Sequence, residues 1–324
     1  MNAAATVQQP SYTVRGFGII KRLGSGATAT VYEACTEKNE VVALKVVMRD
    51  RNTYMRELRV LKEMRHDRIV KLFRSEENES YRKTGPFLIV MELEPWGSLS
   101  GLVLWGSEAA QCMRDVAIAL QYIHRKGYIH GDIKPANLLR DGCGRIKVCD
   151  FGCCKKIATD DDTVFRRPQG TPAFMSPEAY RGHGGTTACD VWSLAATIFC
   201  VVRGHPPFMG QNLVEKIMYG APDSHRSAPV VCCEEESNLA HLVNWGLSKP
   251  ARDRPSVDDV LHHPWMANAE DLRARDASCH LFSPSSSEAG SNVSAHSNSI
   301  ESSTHIGVVP SMSPSIFLAK YTVV

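Results

Sequence analysis

The apolar residues of this chain follow a mainly strand-like period before Pro95-Trp-Gly97 and a mainly helical one after it, so the chain is expected to be built from two unlike parts. Upstream, runs such as Phe17-Gly-Ile-Ile-Lys-Arg-Leu23 and Val41-Val-Ala-Leu-Lys-Val-Val47 alternate apolar with polar positions and are separated by Gly and Asn, which predicts short antiparallel strands. One stretch interrupts them. From Asn52 onward Met55, Leu58, Leu61 and Met64 recur at helical spacing with Glu and Arg on the other face, predicting an amphipathic helix that ends near His66. Strands resume at Ile69–Phe73 and Phe87–Met91, on either side of a charged, flexible insert, Glu76–Lys83. Downstream the period is helical: Ala109–Lys126 carries Met113, Val116, Ala117, Leu120 and Ile123 on one face and stops at Gly127. Further helices are expected around Ala188–Val202, Leu213–Met218, Leu239–Leu247 and Val257–Leu261. The fold class is therefore α+β, a small N-terminal sheet with one helix followed by a larger, mainly helical part.

With 324 residues and 43% apolar content, both parts can have cores. Lys plus Arg number 37 against 35 Asp plus Glu, a balance that gives no reason to expect nucleic acid or a membrane surface as partner. The longest apolar run, Val191–Val202, is well short of the roughly 20 residues a membrane span requires. Polar Met1–Ser11 carries no secretory pattern. The 11 cysteines are odd in number and irregularly spaced, which suits reduced thiols in the cytoplasm or nucleus. Cys149, Cys153 and Cys154 lack a second pair at zinc spacing and read as ordinary thiols. Residues 1–16 are expected to be a flexible N-terminus, and the serine-rich residues 267–324 a disordered tail; there is no internal repeat.

Four features carry chemistry. Leu23, Gly24, Ser25, Gly26, Ala27, Thr28, Ala29, Thr30 and Val31 form a glycine-rich segment between two strand-like runs, able to bring backbone N–H groups close to phosphates. Alone it is as readily a simple strand turn, and the absence of a following helix disfavours a dinucleotide fold. Lys45 lies 19 residues beyond Gly26 in mid-strand, where a cation needs a partner; Glu57 on the amphipathic helix is the candidate. The strongest block is His130-Gly-Asp-Ile-Lys-Pro-Ala-Asn137, followed 13 residues later by Asp150-Phe-Gly152. In-line phosphoryl transfer needs a carboxylate to position the attacking hydroxyl, a cation near the moving phosphate and oxygen ligands for Mg²⁺; Asp132, Lys134, Asn137 and Asp150 supply that set.

These motifs, in this order, resemble the eukaryotic protein kinase family over residues 17–266, with an N-lobe at 17–92 and a C-lobe at 96–266 of a bilobal fold. The resemblance implies ATP and Mg²⁺ as cofactors. Residues Leu23 to Val31 would cover the nucleotide, Lys45 and Glu57 would pair, and Met91 would be the gatekeeper. Glu92 to Glu94 would form the hinge that meets adenine through its backbone, while Val31, Ala43 and Leu139 would sandwich the purine. Asp132 and Lys134 would be catalytic, with Asn137 and Asp150 holding metal. Gly170-Thr-Pro-Ala-Phe-Met-Ser-Pro-Glu178 looks like the end of an activation segment, with Ser176 in place of the usual alanine. Glu178 would pair with Arg254, and Asp190 would anchor the catalytic loop. Lys134 and Gly170-Thr171 resemble the serine/threonine branch, so protein Ser and Thr hydroxyls are the implied acceptors. The finer likeness is to calcium/calmodulin-dependent kinase kinases and then mitogen-activated kinase kinase kinases, with upstream or scaffold proteins as further partners.

Several departures accompany the resemblance. Ala29 replaces the third glycine of the loop, and Lys45 and Glu57 are only 12 residues apart, short enough that the helix is expected to lose its first turn. Gly131 stands where most members carry an arginine that binds an activation-loop phosphate. Activity is therefore expected not to need that contact, although Thr159, Thr163 and Thr171 could accept phosphate and Arg166 and Arg167 could bind it. A pseudokinase, binding nucleotide as a scaffold, is the alternative from another class, and a function residing in the tail is a third.

Overall fold

The computed structural model describes residues 12–26, 29–48, 51–77, 86–157, 170–182, 185–223 and 233–267. All belong to one unit, Met1–Ala269. Ala27, Thr28, Thr159, Thr163, Arg166, Arg167, most of the charged insert and residues 268–324 lie outside the described residues.

Six antiparallel strands form the upper sheet: β1 (Tyr12–Val14), β2 (Phe17–Ser25), β3 (Ala29–Cys35), β4 (Val41–Val47), β5 (Leu72–Glu76) and β6 (Phe87–Met91), in the order β1-β2-β3-β4-β6-β5. The first strand corrects the expectation of a flexible stretch through residue 16. Arg15 and Gly16 both have positive φ, 48° and 85°, which closes a two-residue hairpin and pairs Val14 with Phe17. Strand alternation then sorts the side chains. Val42, Leu44, Val46, Leu88 and Val90 join Phe17 and Ile19 in a small outer core, while Ala43, Val47, Phe87, Ile89 and Met91 join the main one. Lys45 shares the inner face with Ala43 and lies opposite Val31 on one side and Ile89 on the other.

Helix α1 (Arg51–Glu63) starts within four residues of the end of β4, which is why Lys45 and Glu57 are so close in sequence. Its buried side is Tyr54, Glu57, Leu58, Val60 and Leu61, with Tyr54 rather than Met55 leading the stripe and stacking on Phe87 at 4.9 Å. The strand expected at Ile69–Phe73 begins instead at Leu72. Ile69 and Val70 are buried at the junction, where Val70 N–H donates to the Val148 carbonyl and Val148 N–H to that of Arg68, while Phe73 is exposed. An apolar pair used to join two parts of a molecule looks, in sequence, like the start of a strand.

The lower part is built on α2 (Gly106–Arg125) and α4 (Thr187–Arg203). Gly127 and Gly204, both at φ 78°, take the left-handed geometry at which these helices end. Nearly every residue of α4 from Cys189 to Val202 is buried, so it is the central pillar, with Trp192 stacked on Phe208 at 5.8 Å. Around it lie α3 (Pro177–Tyr180), α5 (Leu213–Tyr219), α6 (Cys233–Gly246) and α7 (Val257–His262). Helix α6 starts six residues before the expected Leu239, since its first turn is Glu234, Glu235 and Glu236, acids that suit a helix N-terminus but show no apolar period. Two short antiparallel ribbons pack beside α2: β7 (Tyr128–Ile129) with β10 (Lys155–Lys156), and β8 (Leu138–Arg140) with β9 (Ile146–Val148). Among the described residues no helix is long and apolar enough to cross a membrane.

Candidate active site

The loop between β7 and β8 contains Asp132, and its conformation is imposed from below. Asp190 at the start of α4 is wholly buried; its carboxylate accepts the backbone N–H groups of His130 and Gly131, each at 2.8 Å, and meets His124 Nε2 at 2.8 Å. Burial opposes the Asp190 charge, but these partners overcome it and hold its pKa below the usual carboxylate range. The anchoring role implied by the resemblance is thus met atom by atom. His130 adds a second tie, with Nε2 3.1 Å from the Cys149 carbonyl and its ring edge-on to Phe151.

Above this anchor Asp132 is fully engaged. Its Oδ1 accepts Thr171 N–H at 2.8 Å; its Oδ2 accepts Lys134 Nζ at 2.7 Å and Asn137 Nδ2 at 3.1 Å. Asn137 also donates to the Asp132 carbonyl at 2.8 Å, so its amide nitrogen is committed and its side-chain oxygen is left to face a cation. Lys134 bridges Asp132 and the Thr171 hydroxyl. The sequence suggested Thr171 as a phosphate acceptor and a mark of the serine/threonine branch; the fold in addition ties it to Asp132 and Lys134.

From the upper part, Lys45 Nζ donates to both oxygens of Glu57, at 2.6 and 2.8 Å, and to Asp150 Oδ1 at 2.8 Å. The last contact spans both parts of the molecule. Burial works against the Lys45 charge, yet Asp150 and Glu57 reverse the balance and raise its pKa. Burial likewise pushes Asp150 up, and Lys45 more than offsets it, holding that carboxyl down to about 2. Asp150 itself is left-handed, φ 63°, so three residues of β9 pass directly into a turn that aims its carboxylate upward. The carboxylate of Asp150 and the side-chain oxygen of Asn137 are both hard oxygen donors of the kind Mg²⁺ takes, so the residues present fit that ion.

The cleft walls follow strand alternation. Val31, Ala43 and Met91 lie on the inner face above, and Leu139 of β8 is half-buried below. Gly24 has open space where a side chain would project; Gly26 N–H donates to the Ala29 carbonyl at 2.8 Å, closing the described base of the loop, while Ser25 pairs with Thr30 and Leu23 is exposed at its lip. Glu92 and Glu94 both hold Lys147 of β9, their carboxylates lying 2.7 and 2.8 Å from its ammonium. Lys147 was not found from sequence, because a lysine in a strand between two buried residues reads as a surface position. Further down, Arg254 clasps Glu178 with contacts of 2.6 and 2.8 Å, as the resemblance implied. The thiols near the site are inert by environment, since burial pushes Cys153 up to about 12.

The family model for the protein kinase domain matches residues 17–266. Mitogen-activated protein kinase kinase kinase 17 of Arabidopsis thaliana is 29% identical over 262 residues, covering 77% of this chain and 69% of that protein. The kinase kinase kinase numbered 18 from the same plant is 29% identical over 264 residues, 77% of each chain. The serine/threonine-protein kinase GRIK1, also of Arabidopsis thaliana, is 31% identical over 232 residues, 67% of this chain and 54% of that one. With the motifs ordered as above and this domain matched over residues 17–266, the chain belongs to the protein kinase family, as a serine/threonine kinase similar to mitogen-activated kinase kinase kinases.

Proposed function

We propose that this kinase takes ATP with Mg²⁺ and transfers the γ-phosphoryl group to Ser and Thr hydroxyls of protein substrates in intracellular signalling, in the cytoplasm or nucleus. The observation that carries the reading is the contact set joining Thr171, Lys134 and Asn137 to Asp132 and Lys45 to Asp150. Bound Mg²⁺, held by Asp150 and Asn137, would neutralise charge on the phosphates. Asp132 orients the acceptor hydroxyl, with both of its oxygens fixed so that little reorganisation accompanies transfer. Lys134 lies beside Asp132, where it can stabilise the moving phosphoryl group, and Lys45 is placed for the α- and β-phosphates. The joint presence of Lys45, Asp132 and Asp150 supports catalysis over a scaffold role. Asp132→Asn should abolish most turnover and leave ADP binding near wild type; turnover at the wild-type rate would refute the assignment.

The same reading extends to the switch. Gly131 has φ 80°, and a Cβ there would come within 2.9 Å of the Cys153 carbonyl; a Cβ on Gly170 would come within 2.7 Å of the Gly131 carbonyl. Three segments, the catalytic loop, the turn after Asp150 and the start of the described activation segment, thus meet through bare backbone where an arginine and a phosphate would otherwise act. This supports an activity that does not depend on loop phosphorylation. Phosphatase-treated protein with Thr159→Ala and Thr163→Ala should keep its activity, and a loss on the order of a hundredfold would exclude the idea. A serine/threonine peptide array, with Lys45→Met as control, would identify the substrates.

A further inference from the structure

The group at the back of the cleft that the mechanism above does not use is Lys147. It lies on β9 opposite Leu139 and between Ile146 and Val148, both wholly buried, and its own side chain is only 14% exposed. Its ammonium sits between two carboxylates of the hinge, 2.7 Å from Glu92 Oε2 and 2.8 Å from Glu94 Oε1. Each carboxylate is otherwise constrained. The second oxygen of Glu92 accepts Lys71 N–H at 2.6 Å, and Glu92 N–H donates to the Lys71 carbonyl at 3.0 Å. Glu94 is buried, and its carbonyl accepts Gly97 N–H at 3.2 Å.

Two hinge carboxylates two residues apart repel each other unless a cation lies between them. Burial raises the Glu94 pKa, while burial works against the Lys147 charge and Glu92 and Glu94 restore it. Both carboxylates are held on the Lys147 ammonium, so the side chains of residues 92 and 94 are tied to one point on β9. Among the described residues the Glu92 carbonyl and the Glu94 N–H have no hydrogen-bond partner. One acceptor and one donor in that order are what the edge of an aminopurine needs. The strand that supplies the lysine reaches Asp150 three residues later, so the same short element braces both ends of the nucleotide site.

We propose that Lys147 is a positioning residue for nucleotide binding, acting through Glu92 and Glu94 to hold the hinge backbone in the conformation that receives adenine. The proposal rests on the nucleotide site described above. Its effect falls on affinity, since preorganising a binding segment removes an ordering cost from binding and leaves the transferring groups alone.

The test is ADP binding by calorimetry on the full chain, with the melting temperature of each variant recorded without nucleotide. Lys147→Met is expected to weaken ADP binding about tenfold and to raise KM for ATP rather than lower kcat, whereas Lys147→Arg keeps affinity within about threefold. Adding Glu92→Gln and Glu94→Gln to Lys147→Met removes the repulsion and should recover most of the loss; a role in stability alone would predict no such recovery. Should Lys147→Met fail to fold, Glu94→Gln alone tests the same point, with a loss of about threefold expected. Wild-type affinity in Lys147→Met, or in Glu94→Gln, or no recovery in the triple variant, would overturn the proposal. A wild-type chain that binds no ADP would overturn the nucleotide site itself, and the proposal with it.

Discussion

Two buried ion pairs in this molecule have matching distances and opposite designs. Lys45 with Glu57 and Arg254 with Glu178 each make contacts of 2.6 and 2.8 Å. Around Arg254 every donor is used: besides Glu178 it bonds the carbonyls of Ser248, Lys249 and Ala188, and its guanidinium lies 5.0 Å from the Trp192 ring centre. Its side chain is fully enclosed, so nothing remains for a ligand. Lys45 instead shares its ammonium between Glu57 and Asp150, and the Asp150 side chain is 42% exposed toward the cleft. Planar geometry suits a closed structural clasp; a point charge on a flexible stem suits a site whose partners change when a ligand arrives.

The largest effects should separate these designs. Removing one partner of the closed pair, as in Arg254→Leu, strands a half-buried carboxylate and should cost about 3 kcal/mol of stability in urea unfolding, with whatever remains folded still turning over. Stability equal to wild type would show that the clasp is not structural. Lys45→Met should do the reverse: turnover falls on the order of a hundredfold or more, while stability drops less than in Arg254→Leu, because burial already raises the Glu57 pKa and lets that carboxyl take a proton. Equal losses of stability in the two variants would erase the distinction.

Smaller effects sharpen it. Gly131→Ala places a Cβ at positive φ against the Cys153 carbonyl and should cost about 1–2 kcal/mol in thermal melts, a contact near the cleft that depends on shape and not on charge. The smallest concerns acid. The Asp150 carboxyl is depressed from 3.8 to about 2, so the stability it gains from Lys45 is present above about pH 4 and lost as pH falls through about 2. Asp150→Asn should therefore lose less stability than wild type between pH 5 and 2; equal losses would mean that the Lys45 contact does not hold the carboxyl down.

How much of this was legible follows from what each pattern encodes. Alternation over Val41–Val47 placed Lys45 in a strand, and helical spacing after Asn52 brought Glu57 into reach, since both periods are properties of local backbone. The lengthening of α6 through Glu234–Glu236 was missed because charged first turns obey the helix dipole and not an apolar period. Ile69 and Val70 were misread because their burial comes from Val148, some eighty residues away. Lys147 was silent for the same reason: its meaning lies in Glu92 and Glu94, on another element.

The sequence by itself determined the chemical inventory and its order, the glycine-rich loop, Lys45, Asp132, Asn137 and Asp150, through residue types and local spacings, while the pairing of Glu178 with Arg254 came only from the resemblance to the kinase family. Only the tertiary structure decided which charges meet. It placed Asp150 against Lys45 across the two parts, closed Gly131 and Gly170 onto neighbouring backbone, and set Lys147 behind the hinge. The physical reason is that electrostatic and steric contacts act over a few ångströms in space, and folding sets those distances independently of separation along the chain.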